Sequence, residues 1–600
     1  MGAVICRCGT NIASTVDVEE VVEHARSLPG VVFADERLYA CSQDAQEWIR
    51  GIIHEHRLNR LLVASCTPRT HQPLFRETMK SAGLNSYLLE MANIREHCSW
   101  VHREYPRDAT DKARRLVAMG VEKARLLEPL EEGVSPVTPA ALVIGAGGAG
   151  LTAALRLAEA GFKVYLVEKE PEPGGQMRHI HRTSDGADVQ AYLERLITAV
   201  REHPLIQFHA GTTVNRVEGY IGSYRSTLET ARGQDREPAM LEVSHGVVIV
   251  TTGGDEYVPG PGEYLWGEHP RVITLRELER RLHREPDLIR GLGTVVFIQC
   301  VGSRNEEHPY CSRVCCSAAV KNAHALKDLV PGAAVHVCYR DMRTYGSGED
   351  RYLEARDRGI NFIRYTPDAP PRLRPEPPGP SGLKPLPRSG LEGVCPAGGS
   401  SGIQLGVPGD GERVLVTVGD GDLGGEEVLI AADLVVLSTG IVAGPGAAGL
   451  GPMLKVPLTR EGFFLEAHVK LRPVDFATDG VFLAGMAHYP ATISECLTQA
   501  CAAAARAETV LSKDTVVTEG VVAVVEEGLC SGCRQCLSLC GYEAISFDTE
   551  KGVAVVNRSL CKGCGACAGA CVSGANRLLG FRPAQLFAQI EAACAGLQDA

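Results

Sequence analysis

Three features that the sequence lacks limit the classes of protein to which it can belong. No run of about 18 apolar residues occurs, so we expect no membrane span. The first ten residues lack a basic stretch followed by an apolar one, so we expect no secretory signal and a cytoplasmic location. The formal net charge of -12 lacks the basic excess that non-specific nucleic-acid binding needs, so we expect no nucleic-acid partner.

Aromatic residues are also few, at 5% of the chain, whereas cysteines are many, at 22. In a short secreted chain so many cysteines would indicate disulfides. In a chain of 600 residues without a recognisable signal they indicate metal binding. A chain of this length also exceeds one hydrophobic core and predicts several domains.

Two cysteine runs near the carboxyl end repeat the spacing C-x2-C-x2-C-x3-C, and the segments AISFD and VAVVN between them predict a hairpin. In bacterial two-cluster ferredoxins each run supplies three ligands of one [4Fe–4S] cubane, and its fourth cysteine serves the other cluster. We therefore predict one cluster on Cys530, Cys533, Cys536 and Cys571. The second cluster takes Cys561, Cys564, Cys567 and Cys540. A pair of zinc ribbons is the alternative, although zinc sites use two C-x2-C pairs.

A dinucleotide-binding motif lies between residues 141 and 168. An apolar strand runs into Gly145, Gly147 and Gly150, a helix follows, and a second strand ends at Glu168. The glycines permit a tight turn, a close approach of backbone N–H groups to a pyrophosphate, and close packing of helix on strand. An acid at the second strand end accepts from ribose hydroxyls and favours FAD or NAD. A degenerate Rossmann domain without a ligand is the alternative.

Further segments favour FAD. The segment KEPEPGGQ after Glu168 is similar to the flavin-contacting loop of disulfide-reductase-like flavoproteins. Two strand–TG turns and the segment TDGVFLAG are similar to other parts of that superfamily. We predict that these segments supply the remaining cofactor-binding residues, which are Lys169, Gly175, Gln176, Thr252, Gly253 and Gly485.

A second Rossmann unit begins at Gly293 but lacks the G-x-G-x-x-G motif that nicotinamide binding needs. Its strand TVVFIQC ends in a cysteine, and three more cysteines lie before or within a predicted helix from 314 to 326. Without the glycines a pyrophosphate cannot approach the strand end. We therefore predict a [4Fe–4S] cluster here, on Cys300, Cys311, Cys315 and Cys316. A redox dithiol or buried structural thiols are the alternatives.

The first 135 residues predict alternating strands and helices, with cysteines near the ends of apolar runs. Strand ends in a parallel sheet converge on one edge, which is a favourable position for a site. From the spacing alone, a cluster and buried free thiols both remain open.

In this order the blocks resemble the heterodisulfide reductase A-subunit family, the flavin subunits of electron-bifurcating complexes in methanogens and anaerobic bacteria. The resemblance rests on the dinucleotide segment, the ferredoxin tail, and the segments CRCGTNI, MANIREHCSWVH, FIQCVGSR and YCSRVCCSAAVKNA. It implies an amino-terminal cluster, with Cys6 as the reserve ligand, on Cys8, Cys41, Cys66 and Cys98. It also implies that Lys321 is a catalytic cation near the flavin, for which a plain surface lysine is the alternative. An extra ferredoxin insert of some members is absent, since no cysteine lies between 98 and 300.

We therefore predict an α/β multidomain fold. A Rossmann-type, thioredoxin-reductase-like core with two dinucleotide-binding units joins an α/β amino-terminal cluster domain and a C-terminal α+β ferredoxin domain with two [4Fe–4S] clusters. The predicted boundaries are 1–135 for the amino-terminal domain, 140–292 and 412–512 for the FAD domain, 293–365 for the degenerate second Rossmann domain, 366–411 for a flexible Pro- and Gly-rich insertion, and 513–600 for the ferredoxin domain.

The expected function is that of an oxidoreductase subunit whose FAD and clusters divide electrons between a disulfide-reducing partner and ferredoxin. From the resemblance, the expected partners are heterodisulfide reductase subunits B and C or similar, a hydrogenase- or dehydrogenase-linked donor, and ferredoxin, around a homodimer of this chain. The alternatives are a linear electron-supply subunit of another reductase, an assembly scaffold with structural clusters, and an NAD(P)H-dependent disulfide reductase. The lost glycines and the lack of a C-x-x-C dithiol in the FAD domain oppose the last.

Overall fold

Two compact units make up the computed structural model, which describes residues 1–231, 238–377, 413–421 and 426–595. One unit consists of Met1–Ser135 with Val517–Ala600, and the other of Pro136–Val516. The first unit therefore combines the two ends of the chain. Most of the predicted insertion 366–411, including Cys395, lies outside the described residues. Within the described ranges, no helix has both the length and the hydropathy to span a membrane.

The amino-terminal part of the first unit is a parallel sheet of four strands. They lie in the spatial order Phe33–Arg37, Gly2–Cys6, Leu61–Ser65 and Leu89–Asn93. The helices of this part are Val18–Ser27, Gln43–Glu55, Pro68–Ser81 and Pro106–Arg125. The two central strands consist of buried residues, as is typical of parallel sheets. Their carboxyl ends bring Cys6 and Cys66 to the same edge of the sheet.

The carboxyl-terminal part of the first unit consists of two short antiparallel pairs and three helices. The pairs are Ala523–Val525 with Asn576–Leu578, and Ile545–Asp548 with Val553–Val556. The helices are Gln535–Leu539, Ala566–Gly569 and Pro583–Cys594. The hairpin that the sequence predicts between the two cysteine runs is therefore present.

Buried polar contacts join the two ends of the chain in this unit. Lys123 is 5% exposed and forms an ion pair with Glu90 at 2.9 Å, and its Nζ lies 4.1 Å from the ring centroid of Phe581. The backbone N–H of Gly520 donates to the hydroxyl of Tyr87 at 2.7 Å. The contact of Lys123 with Phe581 and the hydrogen bond from Gly520 to Tyr87 therefore tie the tail to the amino-terminal part.

The second unit contains two parallel sheets of five strands each. The strands of the first sheet lie in the spatial order Val481–Leu483, Val247–Val250, Ala140–Ile144, Lys163–Val167 and Ile206–His209. The helices that pack against it are Gly148–Glu159, Val189–Glu202 and Ile493–Leu511. A separate antiparallel sheet contains Thr212–Tyr220, Ser223–Thr230 and Ala239–His245.

The second parallel sheet has the same size and the same kind of helical cover. Its strands lie in the spatial order Val272–Thr274, Leu434–Thr439, Thr294–Val301, Ala334–Tyr339 and Asn361–Arg364. Its helices are Leu275–Arg284, Pro286–Arg290, Cys315–Leu329 and Gly348–Asp357. Further elements of this unit are the sheet Arg372–Pro375, Val414–Asp420 and Glu426–Ala432, the ribbon Gly254–Glu256 with Ile441–Ala443, and the helix Ala447–Leu454.

The predicted fold class is confirmed, with small differences in the elements. The first strand begins at Gly2 and ends at Cys6, so Cys8 lies in the turn that follows it. The helix predicted to start at 314 runs from Cys315 to Leu329. The strand Leu89–Asn93 is not evident from the sequence, because its polar residues at 90 and 93 interrupt the apolar pattern.

Candidate functional site

The glycines of the dinucleotide motif occupy positions where a side chain would collide or would fill open space. Gly145 has a φ of 101°, and a Cβ there would lie 2.5 Å from the carbonyl oxygen of Thr251. A Cβ on Gly150 would lie 1.8 Å from the carbonyl oxygen of Gly145, so the helix can pack on the strand only with glycine. Within the described part of the chain, no heavy atom lies within 4 Å of the Cβ position of Gly147, so its backbone borders open space.

A cavity of about 1420 Å³ lies beside this motif in the second unit. Its lining includes the predicted cation and every predicted cofactor-binding residue except Gly150, namely Gly145, Gly147, Glu168, Lys169, Gly175, Gln176, Thr252, Gly253, Gly485 and Lys321. The volume exceeds the roughly 1,000 Å³ of the largest drug-sized sites. Together with the open backbone at Gly147, it fits a ligand of the size of FAD, with the pyrophosphate at the start of the helix.

The carboxylate of Glu168 holds the dinucleotide loop together. It accepts hydrogen bonds from the backbone N–H of Ala146 at 2.7 Å and from that of Glu170 at 3.0 Å. Each carboxylate oxygen has a further lone pair, so the predicted contact with a ribose hydroxyl is compatible with these bonds and stays a prediction.

Lys321 lines the cavity and is fixed by a buried carboxylate. Its ammonium lies 2.7 Å from both carboxylate oxygens of Glu279 and donates to the carbonyl oxygen of Arg182 at 3.0 Å. Glu279 also accepts from the backbone N–H of His181 and from the side-chain amide of Asn322. The side chain of Lys321 is 14% exposed, so the structure places it in the cavity wall and not on the outer surface.

A second network of hydrogen-bonded polar side chains lies in the cavity wall, and the sequence does not predict it. Glu256 accepts from the hydroxyl of Thr439 and forms an ion pair with Arg276 at 3.0 Å, and Arg276 in turn donates to Gln176. Burial raises the pKa of Glu256, although Thr439 and Arg276 oppose that rise. Gln176 and Thr439 lie in segments that the sequence analysis recognises, the flavin-contacting loop and the second strand–TG turn, whereas Glu256 and Arg276 come from segments without a local signal.

The cysteines predicted in the second Rossmann unit converge at the end of the strand Thr294–Val301. The electrostatic neighbours of Cys315 are Cys316, Cys300 and Cys311, and burial is the main reason that its pKa is raised. Burial likewise raises the pKa of Cys316 to about 11. Among the described residues, no three His, Cys, Asp or Glu side chains converge closely enough to hold a single metal ion. A cubane spreads its thiolates further apart than the roughly 4 Å that separates two sulfur ligands of one zinc ion.

Arg304 brings an unused hydrogen-bond donor to this cysteine set. The guanidinium of Arg304 interacts with the thiol of Cys300 through its charge and through a side-chain hydrogen bond. The Nη1 atom of that guanidinium is buried and has no hydrogen-bond partner in the described part of the chain. A buried donor without an acceptor is unfavourable, and a cluster sulfur would supply one. The residues present therefore fit a [4Fe–4S] cluster.

Cys315 belongs to the cysteine set and to the cavity at the same time. It lines the cavity together with Val314 and Ala318. Its Sγ lies 3.5 Å from the carbonyl oxygen of Thr439, which is another residue of the cavity lining. A cluster held by this set would therefore share a wall with the dinucleotide site.

In the ferredoxin part, each cysteine triplet lies beside the fourth cysteine of the other run. The electrostatic neighbours of Cys536 are Cys533, Cys530 and Cys571. Those of Cys567 are Cys561, Cys540 and Cys564. The structure thus brings together the same two sets that the spacing predicts. Backbone N–H groups donate to three of these thiols at 3.3 Å, from Asn576 to Cys571, from Ala544 to Cys540 and from Ala523 to Cys561.

At the amino-terminal edge, the structure groups three of the predicted cysteines with the reserve. The electrostatic neighbours of Cys6 are Cys8, Cys41 and Cys66. Burial is the main cause that raises the pKa of Cys6 to about 11. Cys98 is not among these neighbours, and its buried thiol instead donates to the carbonyl oxygen of Ala109 at 2.9 Å. The two-residue spacing of Cys6 and Cys8 at one strand end is the sequence signal that favours Cys6.

Comparison with known proteins adds two domain matches and a set of full-length relatives. Residues 143–207 match the family described as NAD(P)-binding Rossmann-like domain, and residues 529–575 match the 4Fe-4S dicluster domain. The second iron-sulfur A-subunit of the CoB–CoM heterodisulfide reductase of Methanopyrus kandleri is 36% identical, over 92% of each chain. The A-subunit of the H(2):CoB-CoM heterodisulfide,ferredoxin reductase of Methanothermobacter marburgensis is 37% identical over 91% of this chain and 90% of its own.

Solved structures are more distant from this chain. The thioredoxin reductase of T. acidophilum is 17% identical and covers 62% of this chain and 99% of its own, with a TM-score of 0.39. A likeness at that level supports no argument about function.

The fold and the sites define an iron–sulfur flavoprotein of the disulfide oxidoreductase class, with Rossmann sheets, a dinucleotide cavity and a [4Fe–4S] dicluster domain. Several relatives exceed 30% identity over about nine tenths of the chain. The chain belongs to the heterodisulfide reductase A-subunit family.

Proposed function

We propose that this chain is the FAD and [4Fe–4S] electron-transfer subunit of a heterodisulfide-reductase-type complex. The observation that carries the proposal is the position of Cys315, which belongs to a four-cysteine set and also lines the dinucleotide cavity. When bound, FAD exchanges electrons in pairs whereas each cubane exchanges one, so a shared wall suits transfer between the two.

The residues of the cavity have separate roles in this proposal. The loop at Gly145 and Gly147 receives the pyrophosphate, because its backbone borders open space at the start of a helix. Lys321 supplies a positive charge at the cavity wall, and Glu279 fixes the position of that charge. A fixed cation stabilises negative charge on a bound ligand more effectively than a mobile one, because less reorganisation is needed.

We propose four clusters in total. Two lie in the ferredoxin part and one in the second Rossmann unit, on the cysteines that the structure brings together there. The fourth lies at the amino-terminal edge, on Cys6, Cys8, Cys41 and Cys66. In this set Cys6 takes the place that the family resemblance assigns to Cys98. Cys6→Ser is therefore expected to lower the iron content by about one cluster, whereas Cys98→Ser is expected to leave the iron content unchanged.

The names of the relatives support a proposal about the partners. That of the Methanothermobacter marburgensis protein names H(2), a heterodisulfide and ferredoxin, and a relative in Methanococcus maripaludis is named with H(2)/formate. We propose that this chain takes electrons from a hydrogenase- or dehydrogenase-linked donor in the cytoplasm. It divides them between ferredoxin and disulfide-reducing subunits of the B and C type, as a homodimer within the larger complex.

The test is a count of cofactors followed by a count of products. Full-length protein purified without oxygen is expected to hold about 16 iron atoms per FAD, since each cubane has four irons. With a reduced donor and both acceptors present, equal numbers of electrons are expected in reduced ferredoxin and in reduced disulfide, so that each disulfide cleaved accompanies two cluster reductions in ferredoxin. A single product would show a linear conduit. Protein that binds FAD but takes up no iron under reconstitution would contradict the proposal.

A further inference from the structure

Arg304 is held rigidly beside the cysteine set of the second Rossmann unit. It has a left-handed backbone, with φ of 59°, and its backbone N–H donates to the carbonyl oxygen of Tyr310 at 3.1 Å. Its Nη2 donates to the carboxylate of Asp341 at 2.6 Å, and its own carbonyl oxygen accepts from Arg340 at 2.7 Å. Its other terminal nitrogen, Nη1, is therefore fixed in place while it has no hydrogen-bond partner among the described residues.

Further positive charge surrounds the same thiols. Arg340 also faces Cys300, and Arg343 faces Cys316. The Nε of Arg340 is buried and, within the described residues, has no hydrogen-bond partner. The cysteine set therefore faces three guanidinium groups, of which two present buried donors without acceptors. Buried donors of this kind are rare unless something binds to them.

A nucleotide phosphate is a less suitable acceptor for these arginines than a cluster. In dinucleotide-binding units an arginine after the second strand can accommodate a ribose phosphate. Here the ring of Tyr257 packs against the loop after the first strand, 2.0 Å from the position that a Cβ on Gly302 would take. That ring fills the space beside Gly302 which a close approach of a pyrophosphate to this loop would need, whereas Cys300 and Cys316 already face the arginines.

We propose that Arg304 is a positioning residue that raises the reduction potential of the cluster on Cys300, Cys311, Cys315 and Cys316. The inference rests on the proposed function, in that these cysteines hold a cluster. Reduction adds one negative charge to a cluster. A fixed guanidinium that donates to a cluster sulfur stabilises the reduced form more than the oxidised form. Because this cluster shares a wall with the flavin cavity, its potential decides how readily it takes an electron from that site.

The test is a redox titration of the full-length protein, loaded with FAD and clusters, followed by electron paramagnetic resonance. The signal of this cluster is assigned by its loss in Cys316→Ala. Arg304→Gln is expected to lower its equilibrium constant for reduction at least tenfold, which is about 59 mV for one electron. Arg304→Lys keeps the positive charge but loses the planar guanidinium that can donate to Asp341 and to the cluster at once. A smaller lowering of the reduction potential is therefore expected. The other signals are expected to stay unchanged.

Arg290→Gln is the matched control. It removes the same charge from the same sheet region, but Arg290 precedes the strand Thr294–Val301 and lies at the end opposite to Cys300. Its side chain is 60% exposed and pairs with Asp287. The control is expected to leave the potential of the cluster unchanged.

Each outcome supports or overturns the inference. An unchanged potential in a fully loaded Arg304→Gln protein overturns it. If that variant fails to hold the cluster, Arg304→Lys decides, and a wild-type potential there overturns the inference. If the wild-type protein lacks the iron of this cluster, Cys316→Ala changes neither the iron content nor the spectrum. That result overturns the proposed cluster itself. Iron analysis distinguishes that failure from a failure of Arg304.

Discussion

The second Rossmann unit and the ferredoxin part surround their cysteines with different hydrogen-bond donors and charges. In the Rossmann unit, Cys300 and Cys316 face the guanidinium groups of arginines. In the ferredoxin part, Cys571 accepts from the backbone N–H of Asn576, five residues along the chain. Burial also differs, since Cys316 is buried whereas Cys533 is exposed.

The difference shows how the two sites depend on the rest of the chain. Burial opposes ionisation of Cys571, but backbone N–H groups and the hydroxyl of Ser573 lower the pKa of its thiol. Burial dominates at Cys316 and raises the pKa of that thiol to about 11. The ferredoxin loop therefore stabilises negative charge with its own backbone and Ser573, whereas the Rossmann set combines a local donor, the backbone N–H of Arg313 on Cys311 at 3.3 Å, with guanidinium groups from more distant segments.

Removal of a ligand is expected to have the largest effect. Cys316→Ala is expected to abolish the cluster of the Rossmann unit, so that the iron content falls by about four atoms per chain while both ferredoxin clusters stay. Iron analysis and paramagnetic resonance measure this. Cys338→Ala is the control, because Cys338 is fully buried in the neighbouring strand but is not a member of the set. Equal iron loss in both variants would contradict the assignment.

The crossing of ligands in the ferredoxin part gives the next effect. Cys540→Ala is expected to abolish the same paramagnetic signal as Cys561→Ala, although Cys540 belongs to the other run. Cys530→Ala and Cys571→Ala are expected to abolish the second signal together. Because each thiolate binds only one cluster, each pair of variants is expected to lose one signal and to keep the other. If Cys540→Ala and Cys530→Ala removed the same signal, each run would hold its own cluster.

The sequence predicts the ferredoxin and dinucleotide sites well because their determinants are local. The C-x2-C-x2-C spacing and the three glycines fix geometry within a few residues, and the predicted residues lie together in the structure. The amino-terminal set is different, because its members come from separate strands and turns. The spacing of Cys6 and Cys8 favours Cys6, but it does not exclude Cys98, and the hydrogen bond from the buried Cys98 to Ala109 is visible only in three dimensions.

Contacts between residues that are distant in the chain are even harder to predict from the sequence. The ion pair between Arg76 and Glu519 joins residues 443 positions apart, so no local pattern predicts that the two ends of the chain share one unit. The same holds for Glu279, which fixes Lys321 from another helix. From its polarity, Glu279 would be predicted to lie on the surface. Only its contact with Lys321 explains why it is buried.

A substitution in the cavity is a third way to distinguish the Rossmann unit from the ferredoxin part. Its expected effect is smaller, because no cluster ligand is removed. Gly147→Ala is expected to fold normally, since the added Cβ meets no atom of the described residues within 4 Å, but to lose FAD because the methyl group fills the space of the pyrophosphate. The signal of the Rossmann cluster is expected to change with the loss of FAD, while the ferredoxin signals stay. The FAD-to-protein ratio and paramagnetic resonance measure this.

Gly150→Ala is the matched variant of that experiment. Its Cβ would lie 1.8 Å from the carbonyl oxygen of Gly145, so the backbone must move. Overpacking of this kind costs about 1–3 kcal/mol, and Gly150→Ala is expected to lower the free energy of unfolding as well as FAD binding. Full retention of FAD in Gly147→Ala would show that the pyrophosphate lies elsewhere.

The pH dependence of iron-free protein gives the smallest effect. Cys316 has a pKa of about 11 in the folded state, against an ordinary value of 9.0. Between these values the unfolded chain loses this proton while the folded chain keeps it, so stability falls as the pH rises from 9 to 11. Compared with Cys316→Ser, wild-type protein is expected to lose about 2 kcal/mol of its free energy of unfolding over this range.

The pKa of Cys571 is lowered, so the wild-type protein is expected to gain stability relative to Cys571→Ser as the pH rises towards 9. Denaturant unfolding measures both differences, and differences of the same sign would show that burial governs both sites alike.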